Sequence, residues 1–280
     1  MPAPAGPAGP AGSVTAGPAR IEAVLDDRGR TELPVLAGAG PVALRQLRRA
    51  APGTAAEVAT VGTMAGPLGG DRYGVRVTVG PGARLRVTGV AATVALPGDG
   101  PARCTVEVTV AAGGVLEWLP EPVVAAAGSH LLLDTRVELA AGAALLLREE
   151  QVLGRHHDWT TGAGPGRLTS TLTVRQDGTE LLAQQTDLGP GAPGWDGPAV
   201  LGPHRALGQL LAVHRPLRPP GGDAVLLALP GSGARLLTAL APDALVLRRL
   251  LADALAPGED EGPAHRQVDG TGVGRQPQPA

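Results

Sequence analysis

The chain has 280 residues with 24 basic and 26 acidic side chains, a formal net charge of −2, so no strong field gathers nucleic acid or an anionic membrane surface. Every basic residue is Arg, which excludes lysine Schiff-base chemistry and a phosphate-loop lysine. There is no Phe, one Tyr and only three Trp, so any core must be built from Leu, Val and Ala.

Gly (42) and Pro (28) make up a quarter of the chain, and they concentrate at its ends. Residues 1–18 hold nine of them, and residues 257–280 are again Gly, Pro, Gln and acid. Such segments bury too little apolar surface to offset their ordering entropy, so both are expected to be disordered tails around one folded unit, residues 19–256. The N-terminus lacks a basic-then-apolar leader pattern, and no apolar run approaches the roughly twenty residues of a membrane span. The expectation is a cytoplasmic protein with no membrane and no nucleic-acid partner.

Along the chain, Gly66-Pro-Leu-Gly-Gly70 lacks the Lys-Ser/Thr of a phosphate loop and reads as a tight turn closed by Asp71. A repeated pattern follows. Val77-Thr-Val-Gly-Pro-Gly82-Ala-Arg-Leu85 recurs as Val108-Thr-Val-Ala-Ala-Gly113-Gly-Val-Leu116 and as Val137-Glu-Leu-Ala-Ala-Gly142-Ala-Ala-Leu145, and more loosely around Gly178. Each copy is an alternating strand, a turn with Gly at a fixed place, and another strand. Gly at that place suits a backbone with φ > 0, as in tight hairpin or bulge turns. Tyr73, Val75, Val77 and Val79 share one face, as do Leu131, Leu133, Thr135, Val137 and Leu139. Mainly β architecture follows, two layers of short strands in a sandwich or a β-helix-like stack.

The only cysteine, Cys104, cannot form an intramolecular disulfide, and its alternating context places it on a buried strand. Leu116-Glu-Trp-Leu-Pro-Glu-Pro122 reads as a stiff corner leaving a strand, in which Glu117 and Glu121 need partners if buried. Arg148-Glu149-Glu150 reads as a solvated strand end. His156-His157 are adjacent, so on a strand they would point to opposite faces, and no His or Cys spacing makes a local zinc site. A short helix is expected over Arg205–His214. Gly231-Ser232-Gly233 is a turn rather than a nucleophile elbow. Pro242-Asp243 opens a C-terminal helix whose Leu247, Leu250, Leu251 and Ala254 form one apolar stripe, stopped at Pro257-Gly258. The three leucines form a candidate partner-binding stripe.

Leu116-Glu-Trp-Leu-Pro-Glu-Pro122 resembles the LEWLPQP-type signature of the UreD (UreH) urease accessory proteins. Pro67-Leu-Gly-Gly-Asp71, Gly82-Ala-Arg-Leu85 with Ala91-Ala-Thr93, and Arg148-Glu149-Glu150 followed by Gly154-Arg155 and Asp158 resemble the family's other motifs, in order, over about residues 20–190. Ala95-Leu96 departs from the family's usual aromatic or basic residues, and the family's Pro-Arg-x-Trp ending is absent.

The resemblance implies a two-layered β-helix-like fold with one or two C-terminal helices and a non-catalytic scaffold for the nickel metallocentre. The implied partners are a UreF-like accessory protein, a UreG-like GTPase through it, and apo-urease. The resemblance further implies no tightly bound cofactor, with nickel in transit through a water-filled passage. Acids at turns are then the candidate metal contacts, Asp71 first, with Glu117 and Asp158, because weak successive oxygen contacts pass a metal that a closed site would trap. Two other readings compete, a glycan-active β-helix enzyme and a β-solenoid binding module. The first needs clustered carboxylates and aromatic platforms, and here the acids are dispersed and aromatics scarce. The second, as an adhesin, would carry a leader.

Overall fold

The structure, a computed structural model, describes residues 12–255. The two terminal stretches outside that range include most of both expected tails and the helix stop at Pro257-Gly258. The strands in chain order are β1 (Ala19–Leu25), β2 (Thr31–Ala37), β3 (Val42–Arg48), β4 (Ala56–Gly62), β5 (Arg72–Val79), β6 (Arg84–Gly89), β7 (Thr93–Ala95), β8 (Ala102–Val110) and β9 (Val115–Leu119). They continue as β10 (Val123–Ala125), β11 (His130–Leu139), β12 (Ala144–Leu153), β13 (Arg167–Gln176), β14 (Thr179–Leu188), β15 (Ala206–Val213), β16 (Ala224–Ala228) and β17 (Arg235–Ala241). The helices are α1 (His156–Thr160) and α2 (Ala244–Leu255).

Three coils form the centre. In each, a long strand of one sheet (β5, β8, β11) passes through the Gly turn into a strand of the other sheet (β6, β9, β12). Equivalent strands stack parallel and in register, Val77 on Val108 on Val137 in the first sheet and Leu85 on Leu116 on Leu145 in the second. The turn is set by chemistry. Ala83, Gly114 and Ala143 donate to the carbonyls three residues back, and Gly82, Gly113 and Gly142 have φ of 67°, 67° and 69°. One left-handed residue at the third place, with Pro81 before it in the first copy, is the type II pattern. These turns are therefore corners between sheets rather than hairpins. Only the fourth copy closes an antiparallel hairpin, β13 to β14, because Asp177 and Gly178 both have positive φ (49° and 75°), as a type I′ turn requires.

Antiparallel strands finish both ends. The first sheet runs β14-β13-β11-β8-β5-β1-β2 and the second β16-β17-β15-β12-β9-β6-β4-β3. Val14 and Ala16, in the segment that composition assigns to a tail, bond with Arg72 and Asp71 at the start of β5. The facing sheets bury Ile21, Val77, Val79, Leu85, Leu116, Leu145 and Leu147 between them.

The C-terminal helix is present, with the Asp243 carboxylate accepting the Val246 N–H at its start. Residues 206–213 are not a helix. They form β15, nearly every residue of which is buried, because the segment pairs with β12 on one side and β17 on the other. Tertiary pairing here overrides the local pattern. His156 and His157 open α1.

At Gly142 a Cβ would meet nothing within 4 Å, so Gly142→Ala isolates the cost of the left-handed backbone. We expect a loss of about 1–2 kcal/mol, read as a lower urea midpoint at unchanged slope. An unchanged midpoint would show that the corner does not need the positive φ.

Candidate functional site

The inward side of β5 and β8 and the first half of β11 bound a cavity of about 400 Å³ between the sheets. Asp71, Tyr73, Cys104, Leu133 and, from the second sheet, Trp118 line it. Burial pushes the Cys104 thiol up to about 11, with the nearby Asp71 charge adding to the shift. At neutral pH it is a thiol, and only the thiolate is a strong metal ligand. The cavity wall therefore carries oxygen ligands and a muted sulfur.

Beyond Leu133 and Val106, the next inward positions in register are Ser170 and Thr135. They begin a polar layer across an otherwise aliphatic interior. Thr135 Oγ1 donates to Glu149 Oε1 (3.2 Å), Gln209 Nε2 donates to Glu149 Oε2 (2.7 Å), and Gln184 Nε2 donates to Gln209 Oε1 (2.6 Å). Ser170 Oγ and the Gln151 Oε1 are buried and have no hydrogen-bond partner among the described residues. Glu149 faces inward on β12 and is half-buried. Burial raises its pKa above the ordinary carboxylate value, and the Gln209 and Thr135 hydrogen bonds pull the other way.

The three expected carboxylates are not brought together. Asp71 is buried at the cavity edge, where Oδ1 accepts the Val14 N–H (2.7 Å) and Oδ2 the Leu68 N–H (2.8 Å). It closes the Gly-Gly turn and ties the N-terminal segment to it. Glu117 does not face the interior. Alternation on β9 turns Leu116 and Trp118 inward and Glu117 outward, where Arg86 and Arg215 each hold it at 2.6 Å. Asp158 organises α1. It accepts the Ala127 and Arg155 N–H groups and is paired with the Arg155 guanidinium, whose hydrogen bonds hold its pKa well below the usual carboxylate range. No group of three or more His, Cys, Asp or Glu able to hold a metal occurs among the described residues.

Leu247 and Leu251 are fully buried on the outer face of the second sheet, with Leu210, Leu237 and Ala239, and Leu250 is partly buried there. The stripe covers the chain's own sheet, so it is not an open partner surface. Nor is Arg148-Glu149-Glu150 a solvated strand end. Alternation turns Glu149 inward and Glu150 outward beneath α2, where Arg148 (2.9 Å) and Arg248 (2.7 Å) pair with it.

Residues 17–260 match the family described as UreD urease accessory protein. The chain is 55% identical to the urease accessory protein UreD of Streptomyces avermitilis, over 85% of this chain and 95% of the relative. It is 53% identical to that of Streptomyces coelicolor, over 85% and 94%, and 46% identical to UreD 2 of Saccharopolyspora erythraea, over 85% and 86%. The chain belongs to the UreD family of urease accessory proteins. The family-like Leu116–Pro122 segment divides its work between the two sides of one sheet. Leu116 and Trp118 fill the interior, Glu117 and Glu121 pair with arginines outside, and Arg148 donates to the Pro120 carbonyl (2.8 Å).

The link of Glu149 to Gln209 and Gln184 is not visible in the sequence, because the three come from β12, β15 and β14, Glu149 reads as part of a solvated strand end, and residue 209 reads as helical. The available signal is Glu149 itself, next after Leu145 and Leu147 on the same period-two, inward-facing row. Its raised folded-state pKa means that the native protein binds more protons than the unfolded chain above the ordinary glutamate pKa, so this group's contribution falls as pH rises. Glu149→Gln should remove that slope. The stability of the variant relative to the parent, from urea midpoints, should rise as pH increases above about 4.5 and level off once the carboxyl has ionised in the folded protein. A difference independent of pH would contradict the buried carboxyl.

Proposed function

We propose that this chain is a non-catalytic cytoplasmic scaffold for urease metallocentre assembly. It links apo-urease to a UreF-like protein and, through that protein, to a UreG-like GTPase, and nickel crosses it along the space between its sheets. The observation that carries the passage is Glu149, an inward-facing, half-buried carboxyl held by Thr135 and Gln209, with Thr135 in register beside the cavity-lining Val106. The chemistry favours transit over storage. The groups along the route are carboxyl, amide and hydroxyl oxygens, and a carboxyl with raised pKa spends part of its metal-binding energy on proton release.

Of the three carboxylates named from the sequence, Asp71 borders the cavity, while Glu117 and Asp158 stand outside it in ion pairs of their own. The proposed route starts at Asp71, follows the cavity past Cys104 and Leu133, and continues beyond its lining to the Thr135–Glu149–Gln209 layer. Asp71 also anchors two backbone N–H groups, so replacing it disturbs the fold as well as the route.

Two variants separate transport from assembly when the chain is co-expressed with urease and its accessory proteins. Leu133→Trp narrows the cavity, and Glu149→Gln keeps shape while removing the charge. Both should leave the complexes intact on size exclusion and lower the nickel content of the urease several-fold. Full nickel loading in both variants would overturn the passage. Loss of the complex in Leu133→Trp would mark that variant as a folding defect and leave Glu149→Gln to decide.

A further inference from the structure

A second concavity, about 470 Å³, lies on the outer face of the second sheet, on the other side of β9 from the nickel route. Its rim carries three guanidiniums, Arg86 of β6 and Arg215 and Arg218 of the segment after β15, against the single carboxylate of Glu117. Glu117 is only 11% exposed, whereas Arg86 and Arg215 are 47% and 34% exposed. The acid thus orients two arginines from below while their outer edges remain presented. The Arg218 N–H donates to the Ala254 carbonyl (3.0 Å), which fixes the segment against the last turn of α2. Among the described residues Arg218 has no carboxylate within salt-bridge distance. Glu57, the register neighbour of Arg86 on β4, is not part of the lining.

The floor is aliphatic, with Leu119 and Leu255 partly open over the buried Leu146, Leu217 and Ala254, and nothing aromatic lines the groove. This combination selects among anions. A nucleotide gains much of its affinity from stacking on aromatic side chains, and none is offered. Inorganic phosphate would use the arginines and leave the floor bare. An extended acidic peptide that alternates carboxylates with aliphatic side chains uses both, with planar guanidiniums gripping carboxylates and the leucines covered.

We propose that this groove is a docking site for an acidic, leucine-bearing segment of a partner protein. The site is independent of nickel passage, since it lies outside the sheet that bounds the interior route. Arg215 and Arg218 are the specificity-determining contacts.

The test uses the full chain and a fluorescein-labelled peptide of alternating glutamate and leucine, followed by anisotropy. Saturable binding is expected, weakened about tenfold or more by Arg215→Gln with Arg218→Gln, the scale of one lost charge-assisted contact. Arg86 still pairs with Glu117 in that double variant, so an unchanged melting curve serves as its folding control. Peptides with glutamine for glutamate, or serine for leucine, should bind correspondingly less, and GTP or phosphate should not displace the probe. Equal binding to the double variant, or displacement by phosphate, overturns the proposal. So does binding that appears only after Glu259, Asp260 and Glu261 are changed to their amides, which would assign the groove to this chain's own acids.

Discussion

Each coil turns on one residue whose backbone must be left-handed. Gly82, Gly113 and Gly142 occupy equivalent places with φ near 67–69°, and that single conformation sends the chain out of one sheet and into the other. A second left-handed residue would fold it back on itself, as Asp177 and Gly178 do. The parallel stacking, the register of inward rows and the separation of two chemically distinct faces all follow from that choice.

Because alternation has a period of two, adjacent residues in one motif serve opposite environments. Glu149 faces an interior with little else to pair it and is held by Thr135 and Gln209. Glu150, its neighbour, is buried on the other side of the same sheet and clamped by Arg148 and Arg248. Trp118 bounds the cavity, and Glu117 before it aims two arginines into the outer groove. One sheet thus carries a hydrogen-bonded carboxyl on its inner side and arginine–glutamate ion pairs on its outer side. The helix α2 closes the exterior by burying Leu247 and Leu251, and its own Arg248 reaches both Glu121 and Glu150.

Much of the fold was legible because its repeat is local. Strand, glycine turn and strand recur at nearly constant spacing, and Val75, Val77 and Val79 declare the inner face. The family motifs were legible for the same reason, being contiguous. What was not legible is long-range. Residues 206–213 look helical alone and become a strand only between β12 and β17. The polar layer joins Glu149 to a glutamine sixty residues away. Glu117 was assigned to the interior because a turn-flanking acid shows no face until the strand's phase is known. Asp71 was chosen for the turn it closes, and its two backbone hydrogen bonds follow from that turn; its place on the cavity wall comes only from the stacking of coils.

The central claim is that nickel travels between the sheets and not along the outer faces. The direct measurement is nickel-edge anomalous scattering from crystals of the accessory complex with apo-urease, exposed briefly to limiting nickel. The account predicts anomalous density between the sheets, within coordination distance of Asp71 or Glu149 and away from the Glu117 ion pairs. Nickel found only on the exterior of this chain, in crystals whose urease nonetheless acquires the metal, would contradict it.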